Sequence, residues 1–246
     1  MQVMVQAYSA PAGHIAPQGD VSLLLLSGGI GARSGHNIPK QFYELHGHPL
    51  IAYSIIAAQK VERIGEIVVN CPDGFFDRTR QIMASYCTAK PYRIVHAGST
   101  RQQSSHILAD AAEFSTVILH EAARPFVDAA MYRNMIDAPA LNASYVYQIS
   151  FSMCAVSPAD STIAAGVPRD KVFDIQLPQK FKRKTLLHAH ECARAAGKSF
   201  TEDAVMVSEM TGDPVTTMTG SSRNIKVTNP VDFEMAQQIM NAKAIE

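Results

Sequence analysis

Short apolar runs and amphipathic stretches alternate along most of the chain. Four apolar runs are predicted to be strands: Val21–Leu26, 66–71, Tyr92–His96 and 116–120. Continuous runs of this kind are typical of strands that are covered on both faces of a parallel sheet. The segments between them, at 49–59, 74–87 and 99–113, have the period of helices. This alternation predicts an α/β fold with a doubly wound, mainly parallel sheet.

The second half of the chain continues the alternation less regularly. Asp128 is placed to cap a helix that ends near residue 137, and a further strand is expected within 143–156. Residues 157–180 have no clear period and are predicted to project as an arm. The remaining elements are predicted as helices at 183–196 and 202–210 (the latter with Thr201 as N-cap), a strand at 215–218 and a helix starting at Asn229 and Pro230.

The domain organisation is predicted to be simple. Residues 1–20 contain Pro, Gly and Ala without periodicity, and are interpreted as a flexible N-terminal extension. No linker divides residues 21–246, so these are expected to form a single domain with its own core.

Composition and charge exclude several classes of protein. The 22 basic and 22 acidic residues cancel, so no global field attracts nucleic acid or a membrane surface. The chain has no apolar run of the ~20 residues that a membrane span needs, and no signal-peptide pattern at its N-terminus. The four cysteines form no CxxC pair, which favours free thiols in a reducing compartment. A cytoplasmic protein without nucleic-acid or membrane partners is therefore predicted.

A glycine-rich loop follows the first predicted strand. Residues 27–35 read SGGIGARSG, with four glycines, and Arg33 and Lys40 add two cations. Such a backbone can direct its N–H groups at phosphate oxygens, and the two cations suit a polyphosphate. The loop is not a Walker A motif because no Gly-Lys-Ser/Thr is present, and Ser34 replaces the third glycine of a dinucleotide fingerprint. The alternative is a flexible turn with solvated charges.

Six motifs in the same order resemble a known family. They are GGIGARSGHNIPKQF from residue 28, a G-x-x-R-x-x-S pattern on Gly98, Arg101 and Ser104, HEAARP from 120, QLPQ from 176, TEDA from 201 and NIKVT from 224. Together they are similar to the cytidylyltransferases that act on 2-C-methyl-D-erythritol 4-phosphate, in isoprenoid precursor synthesis, and to relatives that act on ribitol 5-phosphate for surface polysaccharides. The resemblance covers roughly residues 21–240.

The resemblance implies a nucleotidyltransferase (Rossmann-like) fold and an Mg²⁺-dependent transfer of CMP from CTP to a polyol phosphate, with release of pyrophosphate. It also implies a homodimer in which the arm at 157–180 packs against the partner. Catalytic cations would be Arg33, Lys40 and Lys226. Residues implied to bind CTP are Ser27, Gly28, Gly29, Gly31, Gly98, Arg101 and Ser104. Arg101 has a second interpretation as a surface ion-pair partner, and the metal ligands are not assigned.

Three residues depart from the family pattern on the side that handles the acceptor. Glu121 replaces an aspartate, Leu177 replaces a threonine, and Ala159 stands where the methylerythritol enzymes carry an arginine. These three, with Arg124, are the implied acceptor-binding positions; Arg124 would either contact the acceptor or brace its loop. The predicted acceptor is 2-C-methyl-D-erythritol 4-phosphate, with ribitol 5-phosphate or another polyol or sugar phosphate as the alternative; the GGIG spelling of the first motif and the missing arginine favour the alternative. A nucleotide-binding module without catalysis and a dinucleotide oxidoreductase are the alternatives from other classes.

Overall fold

The computed structural model describes residues 8–9, 19–29 and 38–243. The strands are β1 (Tyr8–Ser9), β2 (Val21–Leu26), β3 (Glu44–Leu45), β4 (His48–Pro49), β5 (Ile64–Cys71), β6 (Tyr92–His96), β7 (Thr116–Glu121), β8 (Ala143–Gln148), β9 (Met153–Val156), β10 (Ile163–Val167), β11 (Phe173–Lys182) and β12 (Thr216–Thr219). The helices are α1 (Leu50–Gln59), α2 (Phe76–Tyr86), α3 (Arg101–Ala111), α4 (Ala129–Asp137), α5 (Arg183–Ala195), α6 (Asp203–Thr211) and α7 (Pro230–Lys243). Short 3-10 helices lie at Lys40–Phe42 and Arg169–Lys171.

Eight strands form one mixed sheet in the order β1-β6-β5-β2-β7-β11-β8-β12. The four strands β6, β5, β2 and β7 are parallel to one another, and β12 is parallel to β8. Strand β11 lies antiparallel between β7 and β8. The predicted doubly wound, mainly parallel sheet is therefore confirmed. The strands predicted before residue 121 match the observed ones to within two residues at each end.

The core lies on both faces of this sheet, as the sequence of β2 requires. Every residue of β2 is buried, and successive side chains point to opposite faces. Leu23 and Leu25 pack with α1 and α4, where Ile55 and Tyr132 are fully buried. Leu24 and Leu26 face a second cluster around α3 and α5. Because both faces of β2 are covered in this way, the accessible part of the strand is its carboxyl end, which leads into the glycine-rich loop.

Two of the three predicted N-caps are observed. The Asp128 carboxylate accepts a hydrogen bond from the Met131 backbone N–H at the start of α4. The Asn229 side-chain oxygen accepts one from the Asp232 N–H at the start of α7. The prediction that Thr201 caps α6 is wrong, because Glu202 occupies the cap position and makes no side-chain cap bond. Its carboxylate faces the Arg101 guanidinium instead.

The projecting element is a hairpin of β9 and β10, from Met153 to Val167. Residues 173–180 belong to β11 in the main sheet, so the arm begins and ends earlier along the chain than predicted. In the N-terminal segment, Tyr8–Ser9 pairs antiparallel with β6, and residues 1–7 and 10–18 lie outside the described residues. Among the residues that the structure describes, no helix combines the length and apolar character of a membrane span.

Candidate active site

A cleft of about 760 Å³ opens at the carboxyl ends of the parallel strands. Its walls come from residues 27–29 after β2, from Asp73 after β5, from residues 97–101 after β6, and from Glu121 at the end of β7. Lys40 and Lys226 also line it. Ligands of doubly wound sheets bind at this edge of the sheet. Here the chain leaves β2 toward one side of the cleft, and β7 lies on the other side. The topology thus brings four of the six motifs onto one cleft.

The backbone after β2 is held by two amide side chains. The Ser27 N–H donates to Asn70 Oδ1 at 2.6 Å, and Gln41 Nε2 donates to the Ser27 carbonyl at 2.5 Å. A Cβ on Gly28 would collide with the Ala97 Cβ, so only glycine fits there without movement. Ser27 lines the cleft, and its buried hydroxyl has no hydrogen-bond partner in the described residues. Gly31 and Arg33, the other predicted residues of this loop, lie outside the described residues.

The second loop of the cleft joins β6 to α3. The Gly98 N–H donates to Ser104 Oγ at 3.0 Å, and Thr100 caps α3 by accepting from the Gln103 N–H. A Cβ on Gly98 would lie 2.7 Å from the Gln103 Cβ. Gly98 and Ser104 both line the cleft, so the glycine permits a close backbone turn at the wall.

A line of alternating charges runs from the protein interior to the cleft. Lys226 Nζ lies 2.8 Å from Glu121 Oε2, and Arg101 Nε lies 3.0 Å from Glu121 Oε1. Arg101 Nη1 lies 2.5 Å from Asp203 Oδ2, and its Nη2 is 3.7 Å from the Glu202 carboxylate. The Arg101 guanidinium therefore meets three carboxylates, which is the ion-pair interpretation left open by its sequence, although the pair is internal rather than on the surface.

These contacts fix the charge of the two buried acids. Burial raises the pKa of Glu121, but the charges of Lys226 and Arg101 outweigh it and hold the pKa at about 2. Burial likewise raises the pKa of Asp203, and the Arg101 charge and the His190 and Ser105 hydrogen bonds hold it well below its ordinary value. The pKa of Arg101 is raised, because the charges of these acids outweigh the effect of burial. Both carboxylates are thus ionised at neutral pH.

The remaining acceptor candidates occupy different environments. Arg124 is buried, and its guanidinium donates to the backbone oxygens of Asn224 at 2.7 Å and Ile175 at 3.3 Å, so it braces the NIKVT segment. Leu177 is fully buried in the core and offers no surface to an acceptor; its exchange for threonine changes packing instead. Ala159 is exposed in the turn between β9 and β10. The sequence motifs group Arg124, Leu177 and Ala159 as acceptor-binding candidates, but in the structure these three residues do not line one wall of a common site.

Two carboxylates on the cleft wall, those of Asp73 and Glu121, are the candidate ligands for a divalent cation. Within the described residues, no group of three or more His, Cys, Asp and Glu side chains could hold a metal ion. Of the two carboxylates on the cleft wall, Glu121 is paired with Lys226 and Arg101, whereas the Asp73 side chain is 94% exposed. Mg²⁺ is typically held by one or two carboxylates, several waters and the phosphates of a substrate.

Sequence reasoning missed the residues that hold the site from behind. Asn70 and Gln41 fix the backbone of Ser27, and Asp203 holds Arg101. Gln41 belongs to the PKQF end of the first motif and Asp203 to TEDA, so the motifs include both residues but assign neither a function. No motif includes Asn70, because its strand has the sequence of an ordinary buried strand.

Comparisons with known proteins show the family of this chain. The family model for 2-C-methyl-D-erythritol 4-phosphate cytidylyltransferase matches residues 21–242. The chain is 31% identical to the enzyme of that name from Clostridium acetobutylicum over 91% of this chain and 98% of the relative. It is 32% identical to the one from Deinococcus radiodurans, over 88% of each. The crystal structure of the Thermus thermophilus enzyme superposes with a TM-score of 0.72 at 25% identity, covering 89% of this chain and 98% of that one.

Proposed function

The chain belongs to the 2-C-methyl-D-erythritol 4-phosphate cytidylyltransferase family, and from this premise we propose how its cleft performs the reaction. The protein is a CTP-dependent cytidylyltransferase: it transfers CMP from CTP to 2-C-methyl-D-erythritol 4-phosphate and releases pyrophosphate. The observation that carries the proposal is the placement of Lys40 and Lys226 on one cleft with the loops of Gly28 and Gly98. The glycines offer backbone to the nucleotide, and the lysines offer charge to its phosphates.

The reaction needs no covalent intermediate on the protein. An oxygen of the acceptor phosphate attacks the α-phosphorus of CTP, a new P–O bond forms, and the bond between this phosphorus and the bridging oxygen to the β-phosphate breaks. Negative charge grows on the leaving pyrophosphate and around the α-phosphate. Catalysis then consists of positioning and of charge neutralisation. We assign these tasks to Lys40, Lys226 and Arg33, the last of which lies outside the described residues.

The nucleotide contacts are assigned by position on the cleft. Gly28, Gly29, Gly98 and Ser104 are proposed to surround the cytosine and ribose, where close backbone leaves no room for a purine. The buried Ser27 hydroxyl, which lacks a partner in the described residues, is proposed to hydrogen-bond the same nucleotide. Arg101 lines the cleft, but three carboxylates surround its guanidinium, so we assign it to holding Glu121 rather than a phosphate.

Magnesium is proposed to enter with the triphosphate. When bound, it neutralises phosphate charge and aids the departure of pyrophosphate. Asp73 is the more exposed cleft carboxylate, and we assign it to hold the ion together with phosphate oxygens. The protein's own contribution is to orient both substrates and to supply the cationic side chains assigned above.

A homodimer is proposed from the surface of the hairpin. Large apolar side chains of this region are exposed: Phe151, Met153, Val156 and Ile163. Val156 and Ile163 lie opposite each other in the hairpin. Neighbouring exposed apolar side chains are typical of interfaces, and a second copy can cover them symmetrically. A cytoplasmic location is proposed with it, supported by four unpaired cysteines and the use of CTP.

The test is pyrophosphate release with CTP, Mg²⁺ and one acceptor at a time. We expect release with 2-C-methyl-D-erythritol 4-phosphate, together with a product whose mass equals CMP plus the acceptor after loss of water. Pyrophosphate release with ribitol 5-phosphate alone would identify that compound as the acceptor in place of 2-C-methyl-D-erythritol 4-phosphate. The neutral side chain of Ala159 favours this outcome. CTP binding without release for any acceptor would instead support a nucleotide-binding module.

A further inference from the structure

Asp203 is a buried carboxylate at the first position of α6, and it does not line the cleft. Its Oδ1 accepts a hydrogen bond from Ser105 Oγ at 2.6 Å and lies 3.5 Å from His190 Nε2. Its Oδ2 lies 2.5 Å from Arg101 Nη1. Burial of an ionised carboxylate costs free energy unless the group is fully paired, and Asp203 is paired with Ser105, His190 and Arg101.

The contacts of Asp203 continue in one direction toward the cleft. Arg101 uses Nη1 for Asp203 and Nε for Glu121, and Glu121 uses Oε1 for Arg101 and Oε2 for Lys226. The buried Arg124 Nε also lies 3.9 Å from Glu121 Oε2. Because Arg101 and Glu121 use separate atoms for their neighbours along this line, the orientation of one restricts the orientation of the next. The planar guanidinium makes this link directional, as a lysine at that position would not.

The two carboxylates of this network are buried, whereas its two cations are partly exposed; the Arg101 side chain is 24% exposed and lines the cleft. The side chain of Asp203 is 1% exposed and that of Glu121 is 7% exposed, whereas that of Lys226 is 37% exposed and lines the cleft. Lys226 lies outside the helices and strands of the structure, and a long, partly exposed lysine loses roughly 2 kcal/mol of conformational entropy when it is held in one place. An ion pair to an already fixed carboxylate is a way to hold it.

An ion pair that only joined two helices would need fewer residues than this network contains. The pair of Arg101 with Asp203 already joins α3 to α6, and Glu121 and Lys226 add nothing to that junction. Arg101 and Glu121 both line the cleft, and Glu121 connects this junction to Lys226 on the same wall.

We propose that Asp203 is a positioning residue of the transfer reaction: it fixes Arg101, which fixes Glu121, which holds Lys226 where the phosphates bind. The inference rests on the role proposed above for Lys226. It assigns Asp203 no contact with either substrate.

The test is a double-mutant cycle with Asp203→Asn and Lys226→Ala, read in kcat, in the KM for CTP and in melting temperature. Asp203→Asn keeps the shape of the side chain and removes its charge. We expect it to lower kcat at least tenfold with less than a threefold change in the KM for CTP, because the charge on Lys226 acts mainly in the transition state. In the Lys226→Ala background it should lower kcat no more than twofold further, whereas its effect on melting temperature should be the same in both backgrounds. An equal loss of kcat in both backgrounds would overturn the inference.

A milder variant covers the case in which Asp203→Asn does not fold. Ser105→Ala removes one hydrogen bond to Asp203, and we expect a threefold or larger loss of kcat that disappears in the Lys226→Ala background. Matched controls are Asp77→Asn and Ser85→Ala, both exposed on α2, which should leave kcat unchanged. Wild-type protein that fails to transfer CMP would overturn the proposed function and this inference together. Wild-type transfer with additive variants would overturn the inference alone.

Discussion

Lys226 Nζ and Glu121 Oε2 lie 2.8 Å apart, and Arg101 occupies the other oxygen of the same carboxylate. The family motif that residues 120–125 resemble has aspartate at the position of Glu121. The extra methylene places this carboxylate between an arginine fixed in the interior and a lysine at the cleft. The departure from the family motif that suggested a changed acceptor pocket therefore has a local consequence: it sets the partner of a candidate catalytic cation.

We predict that the stability contributed by Glu121 is lost between about pH 5 and pH 2. Its pKa in the folded protein, about 2, lies below its ordinary value, so the contribution is fully present above that ordinary value and disappears as pH falls through the folded one. The difference corresponds to about 3 kcal/mol. At pH 7, Glu121→Gln should lower the free energy of unfolding by about 3 kcal/mol or more, because Lys226, Arg101 and Arg124 lose their buried carboxylate partner.

The measurement is urea unfolding of the wild type and Glu121→Gln at several pH values. The gap in the free energy of unfolding should narrow steadily as pH falls toward 2. Glu209→Gln, on an exposed position of α6, is the control and should show no such gap. A gap that stays constant with pH would show that the Glu121 carboxylate is not the stabilising charge.

Removal of either candidate catalytic lysine should slow turnover. We predict that Lys40→Ala and Lys226→Ala each lower kcat at least tenfold, because one lost donor to a developing charge typically costs a few kcal/mol. Arg33→Ala should do the same. Lys198→Ala, an exposed lysine after α5, serves as the control in the pyrophosphate-release assay. Wild-type turnover in any of the three variants would remove that residue from the catalytic set.

Adjacent glycines in the nucleotide loop should respond differently to alanine. A Cβ on Gly28 would collide with the Ala97 Cβ, whereas one on Gly29 meets nothing within 4 Å. We predict that Gly28→Ala lowers the free energy of unfolding by about 1–3 kcal/mol, the usual cost of overpacking, and raises the KM for CTP. Gly29→Ala should keep wild-type stability in the same unfolding experiment. Equal stability of the two variants would contradict the packing described at Gly28.

Sequence patterns captured the strands because a strand covered on both faces must be apolar throughout, as β2 is. They did not capture the partners that hold the site. Asn70 lies 43 positions from Ser27, and Arg101 lies 102 positions from Asp203, distances that no local period spans. Leu177 was misplaced for a related reason: a motif gives the identity of a residue but not the direction of its side chain, and this one points into the core.

The hairpin should hold the dimer together. We predict that Ile163→Glu, which places a charge on a side chain that is 75% exposed in a single chain, converts the protein to a monomer and lowers its activity. Val231→Glu, on an exposed apolar position of α7, is the control and should leave the dimer intact. Light scattering at micromolar concentration measures both. A monomeric wild type with full activity would contradict the dimer.

The last prediction concerns Ala159 and the acceptor phosphate. Ala159 is exposed in the turn of the hairpin, at the position where the family pattern described above implies an arginine. If the hairpin reaches a partner's cleft, Ala159→Arg adds a charge-assisted hydrogen bond to that phosphate, a contact of about 1.5–3 kcal/mol. We therefore expect the KM for 2-C-methyl-D-erythritol 4-phosphate to fall tenfold or more, with little change in the KM for CTP, which binds through other loops. Leu177 is left unchanged because a threonine hydroxyl would be buried in the core at that position.

Ala165→Arg adds the same charge to the same hairpin and serves as the control. The assay compares kcat/KM on 2-C-methyl-D-erythritol 4-phosphate and ribitol 5-phosphate for each protein. A wild type that already turns over the former near 10⁴ M⁻¹s⁻¹, with no gain in Ala159→Arg, would show that the lost arginine has been replaced by another cation of the site.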